Sequence, residues 1–345
     1  MTQDHRVLVR VLVTGVSGFL GGHVALELLR QGYSVLGSVR DLAKAAHVRQ
    51  ALGAAGADTT RLEFCELDLL DDAGWSEAAS RCRYLLHVAS PFLLVMPEDE
   101  NELIAPAVEG TRRAIRAALD AGHERIVLTS SLAAVDSGHL DYDRVFTTAD
   151  WSDPNGPQVN AYIKSKTLAE REAWKLVEAR GARDRLCVIN PGSIVGPLLD
   201  DDPGTSGLVI QRLLKGKVPM VPDMILPYVD VRDVAAAHVA AISRSPAAGS
   251  RHILTNPAVS LTAIAEMLRI AEPDRADKIS GRRMPGWLAV VFGLFDSSLR
   301  DGRSYLGIVR QYDASSGQRL LGRDLRSTSD AISDMARSMI DRALA

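Results

Sequence analysis

The sequence predicts an α/β fold: a doubly wound parallel sheet with a smaller, irregular C-terminal unit. Three observations predict it. Apolar runs rich in β-branched residues alternate with segments of helical periodicity through the first 190 residues. The first of these runs ends in a glycine-rich turn. After Pro191 the alternation weakens, and proline and glycine crowd the chain (Pro197, Pro203, Gly204, Gly207, Pro219, Pro222, Pro227).

Val7–Thr14 reads as a buried parallel strand, since it is nearly continuous in apolar residues and stops at a glycine. Phe19–Arg30 has helical periodicity and closes at Gly32. Tyr33–Val39 is a second strand, and Leu42–Leu52 a helix rich in Ala, Lys and Arg. Arg61–Leu67 and Tyr84–Ala89 read as strands, Ile104–Ala121 as a long helix closing at Gly122, and Arg125–Ser130 as a fifth strand. The helix Val159–Arg180 and the strand Leu186–Asn190 complete the alternation. Parallel neighbours need crossover connections, and these spacings allow helices to supply them on both faces. The boundary is expected near residue 190. Residues 1–190 would form the nucleotide-binding unit and 191–345 mainly a substrate-binding unit. A strand at Tyr228–Val231 and a helix around Val234–Ile242 are expected to rejoin the first sheet over about 226–245.

The 345 residues are 46% apolar and 24% charged, enough for a sizeable core, with a net charge of −3 and no long run of either sign. Nucleic acid and anionic membrane both call for a concentrated basic surface, which is absent. Three scattered cysteines (Cys65, Cys82, Cys187) fit a reducing compartment without a disulfide framework, and none has metal-ligand spacing. The start of the chain has no signal-peptide pattern. The apolar run Trp287–Phe295 is about half the ~20 residues that a membrane span requires. The expectation is a cytoplasmic protein without a metal.

The segment VLVTGVSGFLG places Gly15, Gly18 and Gly21 in a G-x-x-G-x-x-G spacing between the first strand and the first helix. There the free N–H groups and positive dipole end of the helix suit a pyrophosphate. Gly15 would permit the turn, Gly18 a close approach of phosphate, and Gly21 close packing of helix on strand. The expected fold is therefore of Rossmann type. At the tip of the second strand, where NAD enzymes place an acid for the ribose, the chain reads VRD. Arg40, with Lys44 a turn further on, suits a 2′-phosphate by charge and by its planar fork. Asp41 leaves NAD as the alternative, so NADP(H) is expected ahead of NAD(H).

Tyr162 and Lys166, in YIKSK, are four residues apart and share one helix face. A free tyrosine is a poor base near neutrality, with a pKa of roughly 10. An adjacent ammonium would favour the phenolate and make Tyr162 a general acid/base, and Lys166 could also hold the nicotinamide ribose. Ser130 and Ser131 end the fifth strand at the edge where open parallel sheets bind ligands, so a hydroxyl there could bind a carbonyl oxygen.

These motifs resemble those of the extended short-chain dehydrogenase/reductases. More narrowly, they are similar to the branch of dihydroflavonol reductases, yeast-type ketone and methylglyoxal reductases and 3β-hydroxysteroid dehydrogenases. The segments VTGVSGFLGGHVALELL, SVRD, LDLLD, LLHVASP, VEGTRRAI, RIVLTSSLAAV, AYIKSKTLAE, INPGSIVGP, YVDVRDVAAAH and the terminal AISDMARSMI carry the resemblance over nearly the whole chain. It implies that Phe19 and Leu20 join the glycines around the pyrophosphate and that Arg40 is the NADP-binding arginine. Asp68 and Leu69 would touch adenine. Val88, Ala89 and Ser90 would pass along the cofactor, with Pro191, Gly192 and Ser193 near the carboxamide. Ser131 is implied as the catalytic serine, beside Tyr162 and Lys166.

The chain also departs from its relatives. Ala107 stands where many extended members have an asparagine. Asp136 and Pro227 replace an asparagine and a glutamine that hold flavonoids in the dihydroflavonol reductases, which argues against flavonoid specificity. The cinnamoyl-CoA reductase signature is replaced by VNAYIKSK, which argues against a CoA thioester. The substrate side is expected to draw on the loops after strands four and five and on the second unit: Phe92, Leu93, Leu94, Met96, Asp136, Tyr142, Val145, Ile225, Leu226 and Tyr228. Most are apolar, which suits a small hydrophobic ketone, aldehyde or alcohol. The expected activity is that of an NADPH-dependent carbonyl reductase, reversibly an alcohol dehydrogenase, acting as a monomer or homodimer. Two alternatives are a nucleotide-sugar epimerase or dehydratase and a non-catalytic dinucleotide-sensing regulator. LAAVDSG and INPGSIVGP differ from the usual epimerase segments, and the intact tyrosine–lysine pair argues against a regulator.

Overall fold

The computed structural model describes residues 9–91, 97–292 and 302–345. Seven strands form the central sheet: β1 (Arg10–Thr14), β2 (Ser34–Val39), β3 (Leu62–Glu66), β4 (Tyr84–His87), β5 (Arg125–Thr129), β7 (Leu186–Pro191) and β11 (Ser250–Leu254), with β6 (Val145–Phe146) lying outside it. Their order is β3-β2-β1-β4-β5-β7-β11, and every pairing is parallel. The chain winds outward from β1 to β3, then returns to β4 on the other side of β1. That reversal opens a crevice beyond the C-terminal ends of β1 and β4, where an open α/β sheet binds ligands.

The crossovers are α1 (Phe19–Arg30), α2 (Ala45–Ala54), α3 (Trp75–Ser80), α4 (Asn101–Asp120) and α5 (Ala161–Ala179). The strand interiors are buried on both faces, as the continuous apolar runs require. One face packs on α1 through Val24, Leu28 and Leu29. The other packs on α3, α4 and α5 through Trp75, Ala114, Ile115, Trp174 and Val177. The expected elements appear with shifts of a few residues. Asn160 caps α5 by accepting from the Ile163 amide at 3.0 Å, which sets the face that Tyr162 and Lys166 share.

The strand expected at Tyr228–Val231 does not join the central sheet. Tyr228–Asp230 (β10), which follows the short strand Ile225–Leu226 (β9), instead pairs in parallel with Ser193–Val195 (β8) in a separate two-stranded sheet. The helix that follows, α7 (Val231–Ser243), does return to the central layer and packs against α1. The seventh strand is β11, whose sequence SRHIL has no apolar signature. Its Arg251 and His252 are buried and partnered rather than exposed.

A second core gathers α6 (Gly204–Leu214), α8 (Leu261–Ala271) and the last helix, Thr328–Asp341, around Ile210, Leu213, Ile264, Met335 and Met339. Gly286–Phe292 is helical at the start of the apolar run noted above. No described helix is long and apolar enough to cross a membrane.

Candidate active site

The glycine loop leaves β1 at the head of the crevice. Gly15 takes a left-handed φ of +72°, and its amide donates to Ser38 Oγ at 3.2 Å. A Cβ on Gly21 would lie 2.0 Å from the Gly15 carbonyl oxygen, so only glycine lets α1 start this close to β1. Gly18 differs: among the described residues, a Cβ there would meet only the Gly15 carbonyl oxygen, at 3.6 Å. The interior of this protein does not demand a glycine at 18. The space in front of it is open at the N-terminus of α1, where an anion would be favoured. Phe19 is half-buried with its ring edge-on to His23, and Leu20 is part of the core beneath.

At the tip of β2, Arg40 is exposed, and no described residue pairs with it. Asp41 is engaged: its carboxylate accepts from the Ala43 amide at 2.8 Å and caps the turn Leu42–Lys44. Of the two expectations for the ribose site, the guanidinium is unpaired among the described residues, whereas one oxygen of the acid is committed to capping its own turn. Lys44 is exposed nearby. Asp68 is exposed at the end of β3 and accepts from the Leu70 amide at 2.8 Å, while Leu69 packs against Gly110.

Behind the crevice, Thr14 Oγ1 accepts from the amides of Val88 and Ala89, both at 3.0 Å, and lies 2.9 Å from His87 Nδ1. Both lone pairs of the hydroxyl are thus used, so its proton goes to Nδ1 and the His87 proton sits on Nε2. Burial drives His87 down to about 3, with a further push from Lys166, so the ring is neutral. Ser90 is exposed beside this segment.

Ser131 and Tyr162 meet across the crevice, with Tyr162 Oη donating to Ser131 Oγ at 3.5 Å. Ser131 Oγ also accepts from the Ala133 amide at 3.1 Å, capping a short turn. With two donors received, the Ser131 proton is left to point at a ligand. Tyr162 keeps 37% of its surface exposed. Burial of its surroundings raises the phenol above the ordinary value, and the Ser131 hydrogen bond pulls it partly back. The lowering expected from Lys166 is not found. Lys166 is itself buried, which drives it down to about 8, and the Glu170 carboxylate one turn away opposes that fall.

Ser130, expected with Ser131 at the ligand-binding edge of the sheet, faces the other way: it is buried, and its hydroxyl donates to Glu170 Oε2 at 2.5 Å. Alternation along the strand end turns the second serine to the crevice and the first to the interior. Pro191 is buried at the end of β7, and the amides of Gly192 and Ser193 donate to Leu254 and Pro227 carbonyls.

The expected substrate residues do not gather in one place. Asp136 is fully buried in an ion pair with Arg310 and cannot touch a ligand. Tyr228 is 2% exposed within the C-terminal core, and burial raises its phenol. Ile225 and Leu226 form a short strand that pairs with Val259–Ser260, and Leu226 is half-buried against the same core. Val145 is exposed. Tyr142 is half-buried, with the Arg310 guanidinium 4.4 Å above its ring. Phe92, Leu93, Leu94 and Met96 lie outside the described residues.

Sequence reasoning missed Tyr305, Arg310, Glu170 and Arg251. Arg310 also stacks on Tyr305 at 4.2 Å, and Tyr162 is among the groups acting on the Tyr305 phenol, so the 304–312 segment reaches the site from the far end of the chain. Nothing in that irregular stretch signals it. Glu170 could have been found, because it lies one turn beyond Lys166 on the face that turns inward. No group of three or more metal-ligating side chains occurs among the described residues.

A family model described as the NAD dependent epimerase/dehydratase family matches residues 11–254. Cinnamoyl-CoA reductase 1 of Petunia hybrida is 35% identical over 263 residues, covering 75% of this chain and 76% of the relative. The NADPH-dependent methylglyoxal reductase GRE2 of Saccharomyces cerevisiae is 30% identical over 278 residues, covering 75% and 81%. A crystal structure of yeast methylglyoxal/isovaleraldehyde reductase Gre2 complexed with NADPH superposes with a TM-score of 0.81 at 25% identity, covering 98% of this chain and 100% of that one. Glycine loop, sheet order and paired hydroxyls thus agree with likeness in sequence and shape, and the chain belongs to the NAD dependent epimerase/dehydratase family, the extended short-chain dehydrogenase/reductases whose motifs it carries.

Proposed function

We propose that this chain is an NADPH-dependent reductase of small hydrophobic ketones and aldehydes, reversible as an alcohol dehydrogenase. The observation that carries the reading is the meeting of Tyr162 and Ser131 at 3.5 Å, with the buried Lys166 one turn along the same helix. The glycine loop fits a dinucleotide, because the open face at Gly18 adjoins a helix N-terminus. The unpaired Arg40 fits a 2′-phosphate better than the engaged Asp41 fits a ribose hydroxyl.

When bound, the nicotinamide supplies the hydride. The Ser131 hydroxyl donates to the substrate carbonyl oxygen and holds it within reach of Tyr162. Tyr162, with its phenol raised, is protonated at neutral pH and gives its proton to that oxygen as negative charge develops there. Lys166 holds the ribose and adds positive charge beneath. Residues 191–345, apart from the helix and strand that rejoin the central layer, serve mainly as the substrate-binding unit, with Tyr305 close to Tyr162.

Likeness to cinnamoyl-CoA reductases makes an acyl-CoA thioester the second substrate class to try, although VNAYIKSK lacks their signature. The test is oxidation of NADPH, and separately NADH, against hydrophobic ketones, aldehydes and one aromatic acyl-CoA, beside Tyr162→Phe. Turnover with NADPH that Tyr162→Phe abolishes while cofactor still binds is the expected result. Cofactor binding without turnover of any carbonyl would overturn the reading in favour of an epimerase or a regulator.

A further inference from the structure

Beneath the paired hydroxyls lies a polar cluster that the proposed chemistry does not use. Glu170 is on α5 one turn beyond Lys166 and is fully buried. Its carboxylate receives Arg251 Nε at 2.6 Å, Ser130 Oγ at 2.5 Å, Asn190 Nδ2 at 2.8 Å and Trp174 Nε1 at 3.3 Å. Asn190 Nδ2 also donates to the Ser131 carbonyl at 3.2 Å. Arg251 donates to the carbonyls of Ala134, Thr148 and Asp150, and its guanidinium stacks on Trp151 at 4.0 Å. One carboxylate thereby ties together α5, the ends of β5 and β7, and β11.

The charges facing Lys166 are few. Glu170 acts on it from its own helix, and the neutral His87 faces it from β4. The Lys166 ammonium has no hydrogen-bond partner among the described residues. A buried ammonium without a nearby anion sheds its proton, so Glu170, the only carboxylate acting on it among the described residues, decides its charge.

We propose that Glu170, fixed by Arg251, is the positioning residue of this centre: its carboxylate anchors the strand end that carries Ser131 and is the counter-charge of the Lys166 ammonium. The proposal rests on the reductase reading for its kinetic consequence, though not for the charge of Lys166 itself. A purely structural ion pair would stabilise the fold and leave Lys166 unaffected.

Two variants separate these cases. Glu170→Gln keeps the shape but strands the Arg251 cation. Glu170→Gln combined with Arg251→Met removes both charges, and neutral replacement of a buried pair usually preserves stability. The Lys166 ammonium is titrated by NMR, assigned against Lys166→Met, and the pH profile of kcat/KM is recorded alongside. The midpoint is expected to fall from about 8 by about one unit in the double variant, which leaves about a tenth of Lys166 charged at pH 8 rather than about half, and further in the single variant, where the stranded Arg251 cation adds its repulsion. The alkaline limb of kcat/KM moves down with it. A midpoint unchanged in the folded double variant overturns the proposal. A midpoint that moves in a protein that turns over no carbonyl supports the counter-charge and counts against the reductase reading alone.

Discussion

Asp136 and Arg310 meet at 3.1 Å in the interior, and both are withdrawn from solvent. Tyr312 donates to the other Asp136 oxygen at 2.5 Å, and Ser137 adds a hydrogen bond at 2.8 Å. The Arg310 guanidinium is sandwiched between Tyr142 and Tyr305 and donates to the Ser304 carbonyl. The pair thus latches a late, irregular segment onto the turn that follows Ser131. Asp136→Asn leaves a buried cation uncompensated and is expected to cost roughly 3–5 kcal/mol, whereas Asp136→Asn with Arg310→Met recovers most of that loss. Urea denaturation of the three proteins checks this, and an unchanged midpoint in the single variant would show that the pair carries no weight.

Ser131→Ala removes two functions at once. It deletes the hydroxyl whose free proton points into the crevice, and it uncaps the turn Leu132–Ala134. Loss of one donor to a developing oxyanion lowers kcat by about 10²–10³. Loss of the cap costs about 1 kcal/mol of stability. Turnover and thermal unfolding measured on one preparation separate the two. A kcat within tenfold of the parent would mean that the carbonyl oxygen is held elsewhere.

The sheet and the first half of the site were legible because each has a local signature. β1, β2, β4 and β5 are apolar runs, the glycine loop has fixed spacing, and Tyr162 and Lys166 are one turn apart on a helix. The unread parts depend on partners far away in the chain. β11 contains a buried arginine and histidine, which no hydropathy pattern marks as strand, and the arginine is tolerated there only because Glu170 arrives from α5. Asp136 looked like a pocket residue because it stands where the dihydroflavonol reductases have an asparagine on their substrate, but Arg310 claims it from the far end of the chain. Ser130 and Ser131 are adjacent, and only the direction of the strand decides which one faces the crevice.

The cofactor preference turns on two adjacent residues. Arg40→Ala removes a charge-assisted contact worth about 1.5–3 kcal/mol and should weaken NADPH binding by about 10- to 100-fold, with NADH nearly unaffected. Asp41→Ala loses the Ala43 cap but leaves the ratio of the two affinities unchanged. Fluorescence titration of both cofactors measures that ratio. If Asp41→Ala instead weakens NADH selectively, the acid reads the ribose and NAD is the natural cofactor.

Buried neutral histidines should make the fold sensitive to mild acid. Burial lowers His23 to about 4, His87 to about 3 and His238 to about 4, from an unfolded value near 6.5. Between about pH 6.5 and 4 the unfolded chain therefore binds more protons than the folded one at these positions, and stability rises with pH across that window. Their contribution is fully present above the unfolded value and is lost as pH falls towards the folded values. Each histidine contributes about 1.4 kcal/mol per pH unit within the window, so three together give a slope of roughly 4 kcal/mol per unit near pH 5. His238 is held between Thr129 Oγ1 at 2.7 Å and the Val234 carbonyl at 2.8 Å, so one ring nitrogen donates and the other is free to accept. His123 and His252 are lowered by burial too and add to the slope, so His238→Asn should reduce it by the contribution of one histidine, about 1.4 kcal/mol per pH unit. Urea midpoints at pH 7, 6 and 5 measure it, and a midpoint that stays level over that range would mean these rings take up protons without opening the fold.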